Sequence, residues 1–405
     1  MNHSIKIMTT ACVTGLLSFS APLTFAKNSN AQAPTKQASA AQPTNDNHSI
    51  LPLEQKTVSF TQTLYPDDPI ELGVPGATVS SKSYYKQITG AALKQGVALN
   101  THGDKAVVRV TPVKTAAQNK AGQSSPLTVL QPDDLELTNG QGQFNVNKSG
   151  MAIKATSQQL NQAHPSLFKN TSAFVIDKAM GKGNFQLKTN KAVSDDSEFL
   201  IHVFDKHSPV ALSLSSQKNS LDASDTLSVA ASLSNKKALA VNVSKAELIA
   251  PDGRRFNMSV SNSKQGTVAQ MPINFDVQRQ PGELWKVVFH TEQKDNSNII
   301  RTAELALDIH EKTAAINQVQ QHKGSTKVTV NVEKHGRYEV RAWLFSAGKQ
   351  SLPQRVEYQA MWLEKGSHTF SLGNASTAKS GQSSVVKQVQ LMDQSRLAVL
   401  DIIQP

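Results

Sequence analysis

From about residue 53 onward, large apolar side chains recur at every second position in short runs, and only one stretch reads as helix. A period of two marks a strand with one buried face. Thr57-Val58-Ser59-Phe60-Thr61 alternates in this way, and 106–111 (AVVRVT) is a second clear strand. Shorter strand signals stand at Phe144-Asn145-Val146 and Ala152-Ile153-Lys154, and two more strands follow at 184–189 and 198–204. Tyr65-Pro66-Asp67-Asp68-Pro69 is turn chemistry, and 114–126 is a polar loop. Residues 83–93 (SYYKQITGAAL) predict a short helix, weakened at Gly90. Residues 51–204 therefore read as a first domain, mostly β with a little helix.

The pattern then becomes more regular. Between 205 and 311 lie seven strand-like runs. The first is 210–214, and Leu227, Val229, Ala231 and Leu233 alternate in the second. The third, 241–249, is closed by a Pro251-Asp252-Gly253 turn; 254–260 and 268–277 follow. Trp285, Val287 and Phe289 alternate in the sixth run, and Leu305, Leu307 and Ile309 in the seventh. Seven short strands in about 100 residues predict an immunoglobulin-like sandwich. Residues 312–405 continue in the same manner. Val328, Val330 and Val332 alternate, then runs at 338–345, 356–362, 369–372, 385–391 and 397–403 complete a second sandwich. Trp285, Trp343 and Trp362 are expected in the sandwich cores, with a sugar-stacking platform as the functional alternative. The fold class is thus mainly β, a mixed, mostly-β N-terminal domain followed by two immunoglobulin-like β-sandwiches.

The first 50 residues break the pattern. Lys6, an apolar run at 11–19 (ACVTGLLSF) and Thr24-Phe25-Ala26 have the layout of a secretory signal peptide spanning 1–26, cleaved after Ala26. Residues 27–50, rich in Asn, Gln, Ala, Ser and Thr, read as a disordered linker. Cleavage would leave 379 residues and remove Cys12, the only cysteine. An exported chain of this length without thiols points to a bacterial source, since eukaryotic secreted proteins commonly carry disulfides. No later stretch is apolar enough to predict a transmembrane anchor. The expected location is the periplasm or the medium.

Net charge is +11, and +10 once Lys6 leaves. Such a surface is drawn to anionic partners. Yet only nine basic residues are arginine, and no basic run exceeds two. The clustered footprint of a nucleic-acid reader is missing, so no nucleic-acid partner is expected.

The chain has no Gly-x-Ser-x-Gly elbow, no His-Glu-x-x-His and no phosphate-binding loop. No catalytic or cofactor-binding residue is assigned, and no cofactor is expected. Asp67, Asp68, Asp133 and Asp134 follow prolines as adjacent pairs, and Asp195-Asp196 stands near Glu198. Turn roles are the first expectation. Asp67, Asp68, Asp133 and Asp134 are also the candidate calcium ligands, because calcium takes six to eight oxygens from flexible segments. His102 and Asp104 share a Thr-His-Gly-Asp turn that suggests an acid/base pair, although a base also needs a nucleophile or metal to serve.

Several segments together resemble a bacterial family of unknown function, domain-of-unknown-function family 4785. They are Ser83-Tyr84-Tyr85, the stretch 90–99 (GAALKQGVAL) and 106–110 (AVVRV), then 250–254 (APDGR) and Gly282-Glu283-Leu284-Trp285. The resemblance continues through 338–342 (YEVRA) and 391–400 (LMDQSRLAVL). It implies export and an N-terminal domain followed by two immunoglobulin-like domains. It carries over no catalytic or ligand residue.

Three functions fit these readings. The leading one is a non-enzymatic exported protein that binds an unidentified protein or polysaccharide surface, as a monomer. The second is a secreted hydrolase with its site in the N-terminal domain. The third is a periplasmic assembly factor that uses exposed sandwich edges for strand addition.

Overall fold

The computed structural model describes residues 55–405, apart from 66, 69, 71, 115–126, 140–149, 166, 235–237, 240–242, 264–265, 278, 293–297, 323–324, 347–352 and 373–383. The expected signal peptide, the linker, Cys12, the 114–126 loop beyond its first residue and the 144–146 strand lie outside the described residues. The fold is mainly β, with 27 strands and two short α-helices among the described residues.

Three sandwiches account for the strands. In the first, a five-stranded sheet runs in the order Ser83–Thr89, Glu198–Phe204, Val107–Val113, Ser172–Ile176, Met151–Ala155. It faces a three-stranded sheet of Val97–Thr101, Gly183–Thr189 and Leu135–Asn139. Tyr84, Leu93, Leu99, Val108, Phe174, Leu187, Phe199 and Ile201 close the core between them. The helix predicted over 83–93 begins only at Gly90. Ser83–Thr89 is a strand, paired along its whole length with Glu198–Phe204, and helix α1 spans Gly90–Gln95. Tyr84 is buried and Ile88 packs on the same core; a spacing of four suits either a helix or a strand, and the pairing with Glu198–Phe204 settles it as a strand. Thr89 caps α1 by accepting from the Ala92 amide. Gly90 is required by packing, because a Cβ there would lie 2.1 Å from the Ser194 carbonyl oxygen.

The second sandwich is centred on Trp285, Val287, Phe289, Leu212, Leu227, Val229 and Leu305, all buried. One sheet is built on Ala211–Ser216, Thr226–Ser234 and Gly266–Pro272, the other on Val243–Ile249, Trp285–Glu292 and Ile300–His310. Its only parallel pairing among the described strands joins Ser220–Asp222 to Ile300–His310. The expected 254–260 run divides at Met258 into Arg255–Asn257 and Ser259–Ser263, which join opposite sheets. The third sandwich packs a five-stranded sheet on the three strands Ala314–His322, Ser325–Val332 and Gly366–Leu372. Tyr338, Val340, Val328, Phe370 and Leu391 lie in its core.

The first two strands do not stay with the segment that follows them. Val58–Thr63 is the edge strand of the third sandwich, in antiparallel register with Arg355–Leu363 (Phe60 opposite Tyr358). Ala77–Ser81 joins the second sandwich beside Ala211–Ser216. The chain thus touches the third and second sandwiches before it builds the first. Residues between these strands are tied on the way: Gly73 donates its amide to the Gln388 side chain, and Asn219 donates to the Pro75 carbonyl at 2.9 Å. The single 51–204 unit expected from the patterning therefore supplies strands to all three sandwiches.

Candidate functional site

The acidic candidates are engaged locally. Asp68 accepts from the Tyr65 amide at 2.8 Å and so closes its own turn. Asp67, beside it, is exposed. Asp134 accepts from the Gln131 amide at 2.8 Å at the start of a 3-10 turn and meets Lys191 at 3.2 Å. Asp133 turns to Lys154 instead, at 2.5 Å. Asp195 pairs with Lys94, and Glu198 accepts from Gln87 at 2.6 Å. Among the described residues, no group of three His, Cys, Asp or Glu side chains is disposed to hold a metal ion.

His102 and Asp104 do not pair with each other. Asp104 meets His207 at 2.9 Å, and that hydrogen bond holds its carboxyl below the usual range. His102 contributes its backbone: its amide donates to Asp205 at 2.7 Å, and the Gly103 amide follows at 3.0 Å. Burial pushes the His102 imidazole pKa down. The turn is a clasp between the first and second sandwiches. Asp205 and Arg301, both fully buried, meet at 3.0 Å at its centre. Arg301 also donates to the Ser208 hydroxyl at 2.7 Å and to the carbonyls of Val210 and Ile300. Gly103 is obligatory, since a Cβ would lie 2.4 Å from the His207 carbonyl carbon. Sequence reasoning missed this cluster because Asp205 and Arg301 are 96 positions apart.

A second polar seam joins the second and third sandwiches. Ser220 donates to the Val399 carbonyl at 3.0 Å and contacts His310 at 3.1 Å. Arg279 meets Asp308 at 2.9 Å, and Arg396 meets the buried Asp393 at 2.8 Å. A cleft of about 550 Å³ opens here, lined by Pro251, Arg279, Glu283, His310, Arg396 and Ala398 among others. Both of its arginines are neutralised by carboxylates, so the seam reads as a joint.

Aromatic side chains gather on the outer face of the third sandwich's five-stranded sheet. Trp343, expected in the core, lies on this face and is half-buried. Tyr338, Val340, Ala342 and Leu344 take the inner phase of strand Gly336–Ser346, so the odd-numbered Trp343 must point outward. Trp362 is likewise half-buried, between Met361, partly buried against the core, and the core residue Leu363, with its indole N–H donating to Glu364 at 2.9 Å. Trp285 is fully buried, as expected. Across the outer face runs a ladder. Phe60 stacks on Tyr358 with ring centroids 4.3 Å apart, and the Arg341 guanidinium lies 5.4 Å from the Tyr358 centroid on a neighbouring strand. Tyr358 donates to Gln62 at 3.2 Å, pinning the edge strand. Phe60 remains 53% exposed and Val58 46%.

Three tandem sandwiches, joined by polar clasps and carrying an aromatic ladder on an open sheet face, define a multidomain β protein. This chain belongs to the family described as Domain of unknown function (DUF4785): residues 51–205 match its N-terminal domain and 311–404 its C-terminal domain. The chain is also similar to the crystal structure of a DUF4785 family protein (lpg0956) from Legionella pneumophila, with 19% identity and a TM-score of 0.67. That match covers 86% of this chain and 92% of the other, and at this identity it shows the fold alone. Trypsin-activated alpha-2-macroglobulin from Escherichia coli matches 72% of this chain with 21% of its own, at 13% identity and a TM-score of 0.19, too low to carry an argument. No curated protein matches the chain.

Proposed function

We propose that this is a non-enzymatic binding protein, exported to the periplasm or the medium, that engages a polysaccharide of the cell envelope or surroundings through the ladder face of its third sandwich. One observation carries the reading: the Phe60 ring, stacked on Tyr358, keeps half its surface in water at a sheet edge. Exposed aromatic area rimmed by polar groups is typical of binding surfaces. The flat C–H face of a sugar ring complements such a ring, while Gln62 and Arg341 nearby offer polar groups for hydroxyls. The two clasps support a binding role as well, since they hold the sandwiches as a fixed scaffold.

Affinity electrophoresis against a panel of neutral and acidic polysaccharides tests the ligand. Phe60→Ala should weaken binding about three- to tenfold, the worth of one aromatic contact, without lowering the unfolding midpoint. Equal binding by the variant, or no retardation of the wild type by any polymer, would remove the proposal. Export is tested separately by fractionating producing cells and measuring the mass of the mature chain. Cleavage after Ala26 is expected; a cytoplasmic chain with an intact N-terminus would exclude it.

A further inference from the structure

Among the described residues, at least seven of the nine arginines hold a carboxylate: Arg254 with Asp252, Arg255 with Glu247, Arg279 with Asp308, Arg301 with Asp205, Arg341 with Glu339, Arg355 with Glu357 and Arg396 with Asp393. Arg109 does not. It stands on the outer face of the first sandwich's five-stranded sheet, directly across from His202 on one neighbouring strand and Ala173 on the other. Its Nε donates to His202 Nδ1 at 3.1 Å, and its Nη2 approaches the same nitrogen. The guanidinium lies 5.4 Å from the Phe168 ring centroid. Among the described residues, no carboxylate reaches it. Thr111, the next outward position on the same strand, shares a 2.8 Å hydrogen bond with Thr171.

Among the described residues, the charge of this cluster is uncompensated. Burial, then the charge of Arg109, push the His202 pKa down to about 4, so its imidazole is neutral at pH 7 and serves as an acceptor. A guanidinium carries five N–H donors. Two are directed at His202, and three find no acceptor among the described residues. Arg109 is half-buried, so its charge is met in part by the Phe168 ring and one neutral acceptor, and its remaining donors are left for solvent or a ligand. Leu167, next to Phe168 in the chain, is 58% exposed.

We propose that Arg109, with Thr111 and Thr171 beside it, is an oxyanion-binding site for a carboxylate or phosphate group of an extracellular ligand. The planar fork matches either group with two parallel hydrogen bonds. The site is on a different sandwich from the ladder face and stands or falls without it.

The test is calorimetric titration of the full-length protein at low ionic strength with oligogalacturonate and, separately, inorganic phosphate. Arg109→Met keeps an unbranched side chain without the guanidinium and should weaken binding about tenfold or more. Thr111→Val should weaken it several-fold and covers the case in which Arg109→Met does not fold. Lys327→Met removes one exposed charge on the third sandwich and should leave affinity unchanged. Binding of either probe with this variant pattern supports the site, and the preferred probe identifies the group. No binding of either probe, unchanged affinity in Thr111→Val, or an equal loss in Lys327→Met would overturn it, the last by showing that the whole basic surface is responsible.

Discussion

Arg301→Ala should lower the stability of the folded chain by about 3–5 kcal/mol, the cost of leaving a buried charge unpaired. The variant strands Asp205, which is fully buried and keeps only the His102 and Gly103 amides. It also leaves the Val210 and Ile300 carbonyls without their arginine donor. Urea denaturation followed by circular dichroism reads the effect as a fall in midpoint. In some proteins an apolar pair replaces a buried ion pair at no loss. Here Asp205→Leu combined with Arg301→Met should stay well below wild type, because two backbone amides lose their only acceptor among the described residues and each orphaned donor costs about 1–3 kcal/mol. A midpoint for Arg301→Ala within experimental error of wild type would show that the clasp contributes nothing.

Trp285→Ala should cost a similar amount, about 3–5 kcal/mol, the range for deleting a large aromatic from a core. Its ring lies 5.3 Å from Phe275 and 6.2 Å from Phe256, whose own rings stack at 4.3 Å. Removing it opens the middle of that group. The indole N–H has no hydrogen-bond partner among the described residues. Trp285→Phe therefore loses no polar contact and, keeping part of the ring volume and leaving a smaller cavity, should cost clearly less than the alanine variant. Thermal unfolding of the two variants side by side checks the contrast. Equal losses would mean that the indole N–H, and not the ring volume, holds the site.

Much of the strand inventory was legible because period two is a local property. Residues 198–204 match the observed strand Glu198–Phe204, and the runs built on Val328 and Trp285 fall within observed strands. The same property explains the error at Trp343. Alternation has two phases, and the parity of Tyr338, Val340 and Ala342 already assigned Trp343 to the other face. The 83–93 helix failed for a related reason: the Tyr84 and Ile88 spacing suits both periods, and pairing with Glu198–Phe204 decided for the strand as far as Thr89. His102 and Asp104 are close in sequence, but their partners, Asp205 and His207, lie about a hundred residues away. Proximity along the chain therefore suggested a pairing that the tertiary contacts replaced.

The sequence by itself determined that this is a mainly β chain built from sandwiches, which residues alternate toward a core, and that its arginines are few. Only the tertiary structure decided which sheet each strand entered. Val58–Thr63 joined the third sandwich and Ala77–Ser81 the second, across separations of about 300 and 130 residues. The reason is physical. Side-chain alternation specifies a strand's buried face but not its neighbour, and loop-closure entropy grows only slowly with separation, so distant pairings are admissible. The same holds for charge. Composition counts arginines and carboxylates, but only folding showed that, among the described residues, at least seven arginines found acids and that Arg109 met a histidine.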